Sequence, residues 1–178
     1  MPPAPPSPAL PRLTLVLGGA RSGKSRYAEA LITALPSPWI YLATAQAFDN
    51  EMASRIAEHK ARRADGWRTI ETALDLAAAV AANGDSATPV LVDCLTLWLS
   101  NIMLSGRDVA VACRELADAL AAARGPIVAV SNEVGLGIVP DNALARAFRD
   151  AQGRLNQDIA TSADRVILMA AGLPLTLK

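Results

Sequence analysis

Short apolar runs alternate along this chain with longer stretches in which apolar residues recur at helical spacing. Leu13–Leu17 is almost wholly apolar and ends in Gly18-Gly19, which suits a central strand covered on both faces. Trp39–Ala43, Pro89–Asp93 and Ile127–Ser131 repeat that pattern, and Arg68–Glu71 is a shorter strand. Between them the spacing predicts a helix from Lys24 to about Ala34, ended by Pro36. A second helix is capped by Asp49 or Asn50 and runs to about Arg63, with Met52, Ile56 and His59 on one stripe and Gly66 closing it. Leu74–Ala82, an apolar segment after Asp93 reaching Leu104, and Asp108–Ala123 before Gly125-Pro126 are also helical. Asp141 opens a charged amphipathic helix reaching about Thr161, and Asp164–Ala170 with Leu173–Leu177 forms a hairpin across Gly172. Strands alternating with helices predict an α/β fold, a mostly parallel central sheet with helices on both faces.

Composition narrows the classes. The chain has 178 residues, 52% of them hydrophobic, enough to bury a core. Lys plus Arg and Asp plus Glu number 17 each, so there is no basic excess of the kind a general nucleic-acid binder carries. Two cysteines, Cys94 and Cys113, suggest neither a disulfide framework nor a Cys-based zinc site; both read as small buried residues. No apolar run reaches the roughly 20 residues that span a bilayer. Residues 1–12 are proline-rich, without the layout of a signal peptide, and read as a flexible tail. Residues 13–178 read as one domain, and a cytoplasmic location is the expectation.

The chemistry starts at Gly18, Gly19, Ala20, Arg21, Ser22, Gly23, Lys24 and Ser25, which match G-x-x-x-x-G-K-S/T at every fixed position. The motif lies between an apolar strand and a helix, where its mechanism requires it. Glycines let backbone N–H groups turn inward around phosphate oxygens, the helix N-terminus adds partial positive charge, and Lys24 supplies a mobile cation. The Ser25 hydroxyl is a Mg²⁺ ligand in this arrangement; Asp93, ending an apolar strand, holds the same ion or its water, the reading the loop favours over a plain turn or cap role. These elements specify a nucleoside triphosphate and no particular substrate. His59, the one histidine, precedes Lys60, Ala61, Arg62 and Arg63. By spacing it either completes the apolar stripe of its helix or attacks phosphorus beside a cationic cluster.

In its form Gly-Gly-Ala-Arg-Ser-Gly-Lys-Ser25-Arg26 the loop is more specific than the generic motif. Behind it follow Tyr41–Gln46, Asp49–Ile56 leading to His59, Trp67–Glu71, Leu91–Thr96, Ser131–Pro140, then Arg146, Phe148–Asp150 and Gly153–Gln157. This ordered series resembles the bifunctional adenosylcobinamide kinase / adenosylcobinamide-phosphate guanylyltransferase family of cobalamin biosynthesis. The resemblance implies a RecA-like P-loop enzyme with two reactions. GTP or ATP phosphorylates adenosylcobinamide; GMP from GTP is then joined to that phosphate through a guanylylated histidine, matched here by His59. It also implies nucleotide contacts at Thr44, Ala45, Gln46, Lys60, Ala61 (through its backbone), Arg62, Arg63 and Glu71, phosphate and Mg²⁺ duties for Gly18–Ser25 and Asp93, and a homotrimer. The proline-rich extension lies outside the pattern, and the Asn83–Ala87 and Leu104–Asp108 connections are short.

Other features keep two readings. The Asn132–Pro140 loop serves the corrinoid or a subunit contact, or it is a structural turn. Trp39, Trp67 and Trp98 are core or contact aromatics, or they stack on a ring. Arg146–Arg154 is a self-paired helix face, or a phosphate or subunit site. Rival functions are a kinase without guanylyl transfer, which would not need His59, and a nucleotide-driven switch. Against the switch, the chain lacks an Asn-Lys-x-Asp guanine motif.

Overall fold

The computed structural model describes residues 10–46 and 65–178. Its first strand, β1 (Leu13–Gly18), is buried at every position. Such a strand can exist only with its backbone paired along both edges and its side chains covered on both faces. The remaining elements supply that cover: α1 (Lys24–Thr33), β2 (Trp39–Ala43), β3 (Trp67–Glu71), α2 (Leu76–Asn83), β4 (Val90–Asp93), α3 (Leu95–Ser105), α4 (Val109–Ala122), β5 (Ile127–Asn132), α5 (Ala143–Ser162), β6 (Arg165–Ala170) and β7 (Leu173–Thr176). They form a seven-stranded sheet in the order β3-β2-β4-β5-β1-β6-β7. All neighbours are parallel except β6 and β7, which pair antiparallel.

Strand alternation divides the core in two. On one face Leu13, Leu15, Leu17, Ile40, Leu42, Val90, Val92, Ile127 and Ala129 meet α2, α3, α4 and α5. On the other, Val16, Tyr41, Leu91, Val128, Val130, Ile167 and Met169 meet Ala28 and Ile32 of α1. Helices therefore cover both faces, as the hydrophobic pattern predicts. Trp98 is 1% exposed and donates its indole N–H to the Leu74 carbonyl at 3.0 Å, so it is a core residue. Trp39 and Trp67, opposite each other on β2 and β3, pack at a tilt of 48° with ring centroids 5.4 Å apart.

Element boundaries fall close to those predicted, with two instructive differences. Asn142, not Asp141, caps α5, accepting from the Ala145 N–H at 2.8 Å. Arg12, at the end of the expected tail, is fastened to the fold. Its guanidinium donates to the Leu120, Ala121 and Ala123 carbonyls behind α4 and to the Ser162 carbonyl of α5 at 2.6 Å, and its Nε lies 3.5 Å from Asp164. One side chain thereby satisfies the orphan carbonyls at two helix ends. Leu10 also packs on the α1-side core. The helix expected between Asp49 and Arg63 lies outside the described residues.

Leu15→Ala, emptying a fully buried position on the central strand, is expected to destabilise the protein by about 2–5 kcal/mol in urea titration. Leu173→Ala, at a position 71% exposed on the outer strand, is expected to change stability by less than about 0.5 kcal/mol.

Candidate functional site

Parallel strands end side by side, so segments far apart in sequence share one edge of the sheet. The register pairs Gly18 with Asn132, Val130 with Asp93, and Ala43 with both Asp93 and Glu71. The structure thus gathers Gly18–Ser25 after β1, Thr44–Gln46 after β2, Glu71 at the end of β3 and Asp93 at the end of β4 along the carboxyl edge. That edge is where open parallel sheets place ligands. His59, Lys60, Ala61, Arg62 and Arg63 lie outside the described residues.

The loop from β1 to α1 has the shape of an anion cradle. A Cβ on Gly18 would meet Ser22 Oγ at 2.5 Å and the Met169 carbonyl at 2.8 Å, so no side chain fits where the chain turns off the strand. Gly23, at φ +92°, takes the left-handed conformation that lets α1 begin at Lys24. Ser22 N–H donates to Gly19 O at 3.3 Å, and the Lys24 ammonium donates to the same carbonyl at 3.0 Å. The hairpin turn between β6 and β7 braces the loop, Gly172 N–H donating to Ser22 O at 3.1 Å. Within this cradle the Ser22 hydroxyl oxygen is buried without a hydrogen-bond partner among the described residues.

β5 stands between β1 and β4, so the loop and Asp93 are one strand apart, and the Lys24 ammonium lies near enough to feel the Asp93 charge. Burial of its ammonium lowers the Lys24 pKa, while the nearby Cys94 and Asp93 act in the opposite direction. A half-buried cation facing a carboxylate and an unpartnered hydroxyl suits a triphosphate with a divalent ion. Among the described residues no group of three or more His, Cys, Asp or Glu side chains could hold a metal by itself. Ser25 and Asp93 are the side chains of this edge that could hold Mg²⁺, an ion that takes few protein ligands.

Asp93 and Thr44 are held by contacts the sequence does not announce. Tyr41 donates its phenolic O–H to Asp93 Oδ2 at 2.9 Å, fixing the carboxylate from the neighbouring strand. The fully buried Thr44 hydroxyl donates to the Cys94 carbonyl at 2.7 Å and accepts from the Cys94 N–H at 2.9 Å. Asn101 of α3 donates to the Thr44 carbonyl at 2.8 Å and to the Ala73 carbonyl at 3.1 Å. The Thr44 side chain therefore clamps β2 to the corner between β4 and α3, while half-buried Ala45 and exposed Gln46 stand at the open edge. Tyr41 was discoverable in principle: a tyrosine two positions from a predicted strand end, in a buried run, needs a polar partner. Asn101 had no such signal, lying in a predicted apolar helix.

The same corner buries Cys94, whose thiol is pushed up to about 12, first by burial and then by the adjacent Asp93 charge. The thiol is protonated at pH 8, so Cys94 is expected to resist alkylation in the folded protein and to react once urea unfolds it, read by mass spectrometry. Thr44→Val, which leaves the buried Cys94 N–H unpartnered and the Cys94 carbonyl with the Trp98 N–H alone, is expected to cost about 2 kcal/mol or more. Thr44→Ser, keeping the hydroxyl, should cost about half as much, both measured by denaturant unfolding.

Solved structures share this fold. A prototypical ATPase from the type III secretion system of pathogenic bacteria superposes with a TM-score of 0.56 at 14% identity, over 92% of this chain and 56% of that one. A Pyrococcus horikoshii OT3 protein gives 0.52 at 9% identity, over 93% and 85%. In sequence the chain is 49% identical to the bifunctional adenosylcobalamin biosynthesis protein CobP of Pseudomonas aeruginosa, covering 92% of this chain and 96% of that protein. It is 42% identical to CobU of Salmonella typhimurium and 39% identical to CobU of Escherichia coli, each match covering 93% of this chain and 99% of the relative. Residues 14–177 match the family model described as cobinamide kinase / cobinamide phosphate guanyltransferase. With the glycine-rich loop on the carboxyl edge of the sheet and relatives matched over nearly their whole lengths, the chain belongs to the cobinamide kinase / cobinamide phosphate guanyltransferase family.

Proposed function

We propose that this protein phosphorylates adenosylcobinamide with GTP or ATP and then converts the product to adenosylcobinamide-GDP through a guanylyl group carried on His59. The observation that carries this reading is the meeting of the Gly18–Ser25 cradle, Lys24 and Asp93 on one sheet edge. In the first reaction, backbone N–H groups of the loop and the Lys24 ammonium draw charge from the β- and γ-phosphates as the γ-phosphoryl group leaves. Ser25 and Asp93 would hold Mg²⁺, which when bound neutralises phosphate charge. Tyr41 keeps the Asp93 carboxylate oriented.

In the second reaction an imidazole nitrogen of His59 bonds to the α-phosphorus of GTP as the bond to the bridging oxygen breaks and pyrophosphate leaves. A phosphate oxygen of adenosylcobinamide phosphate then attacks the same phosphorus and the imidazole departs. Lys60, the Ala61 backbone, Arg62 and Arg63 follow the nucleophile in sequence, and the three cations supply charge for the departing pyrophosphate. Thr44, Ala45, Gln46 and Glu71 form the nucleotide-facing rim in this reading. A homotrimer and a cytoplasmic location accompany it; no helix among the described residues is long and apolar enough to cross a membrane.

Incubation with Mg²⁺ and α-³²P-GTP, followed by denaturation, is expected to leave acid-labile, base-stable label on the wild-type chain and none on His59→Ala. Absence of label where GTP demonstrably binds would reduce the protein to a kinase without guanylyl transfer.

A further inference from the structure

β5 ends at Asn132, and both peptide groups of this residue are gripped by side chains from helices. Its N–H donates to Thr96 Oγ1 of α3 at 2.8 Å, and its carbonyl accepts from Asn156 Nδ2 of α5 at 3.1 Å. Asn156 is itself fixed. Its Oδ1 accepts from the Ser131 hydroxyl at 2.6 Å and from Gln152 Nε2 at 3.0 Å, while Gln152 Nε2 also donates to Ser131 Oγ at 2.9 Å. Ser131, Gln152 and Asn156 are buried polar groups beside an apolar core, an expensive arrangement that holds a single strand end in place.

What that grip presents is a carboxamide on the reactive edge. Asn132 lies beside Gly18 in the register, and Glu133 N–H donates to Gly18 O at 3.1 Å just beyond it. By strand alternation it shares the face of Val128 and Val130, which pack toward α1, and Val130 is the partner of Asp93. The carboxamide thus stands between the cradle and Asp93, on the side of Lys24. Its Oδ1 is buried without a hydrogen-bond partner among the described residues. Buried acceptors are rarely left so unless something donates to them.

We infer that Asn132 Oδ1 orients the hydroxyl that receives the γ-phosphoryl group, accepting its hydrogen bond beside the phosphate cradle. This role rests on the kinase reading above. The hydroxyl oxygen bonds to the γ-phosphorus as the bond to the β-phosphate oxygen breaks, and the electron pair leaves with the nucleoside diphosphate. The hydroxyl proton passes to a non-bridging oxygen of the transferred group. A carboxamide is not basic, so Asn132 aims the nucleophile and does not deprotonate it. Attack by His59 occurs at the α-phosphorus, away from this end of the triphosphate, and does not use it.

The test compares wild type, Asn132→Ala and the near-isosteric Asn132→Leu in two assays, with melting temperature recorded for each. Phosphoryl transfer from γ-³²P-GTP to adenosylcobinamide is expected to lose about a hundredfold in kcat in both variants, with the nucleotide KM within about threefold. Labelling of the chain by α-³²P-GTP is expected to stay at the wild-type level. Leucine fills the volume of asparagine, so its result stands if the alanine variant fails to fold. Unchanged phosphoryl transfer, or equal loss of both reactions in a variant that melts like wild type, would overturn the role of Asn132 and leave the kinase reading intact. Wild-type protein that labels but cannot phosphorylate adenosylcobinamide would overturn the kinase reading and this role with it.

Discussion

The two-faced burial of β1 governs the rest of the molecule. A strand with no route to water must find backbone partners on both sides, and β5 and β6 provide them in parallel register. Parallel pairing makes neighbouring strands finish on the same side, so the chain leaves β1 for its glycine loop beside the ends of β5 and β4. The loop, the acidic strand end and the asparagine of β5 are therefore neighbours because of hydrophobic burial, before any ligand is considered. Their proximity is inherited from the core.

The edge is stiffened by polar side chains hydrogen-bonded to other parts of the protein. Thr44 ties β2 to the β4 corner, Tyr41 steadies Asp93, Asn101 anchors the segment after β2, and Ser131, Gln152 and Asn156 lock the end of β5. Each is buried or half-buried, where a hydrogen bond faces little competition from water. Arg12 does related work at the opposite end, closing α4 and α5 against the start of β1. The sheet is thus pinned at both ends by groups that a count of apolar area would miss.

This division explains what the sequence reveals. The glycine loop is legible because its chemistry fixes residue types at fixed spacing, and the strands are legible because double burial leaves runs such as Val90-Leu91-Val92. The order of the sheet is not legible, since nothing local to Ile127–Asn132 says that it inserts between β1 and β4. Polar clamps are hidden for a related reason. Gln152 and Asn156 lie one helical turn apart on a helix that is charged in sequence, yet both are buried. The family resemblance implies a nucleotide contact at Thr44, and the coordinates add that its hydroxyl bonds both backbone groups of Cys94. Arg146 is a further case: its guanidinium donates to the Pro140 and Asp141 carbonyls, finishing the turn into α5.

The brace between Gly172 and Ser22 ties the earliest motif of the chain to one of its last turns. During synthesis the ribosome delivers Gly18–Ser25 long before β5, β6 and the hairpin that seats it. Until those strands emerge, β1 is an apolar segment with neither edge paired, and its glycine loop has no wall to fold against. The seated loop therefore arrives late, with the completed sheet, and a chain released early would carry the motif without the wall that holds it.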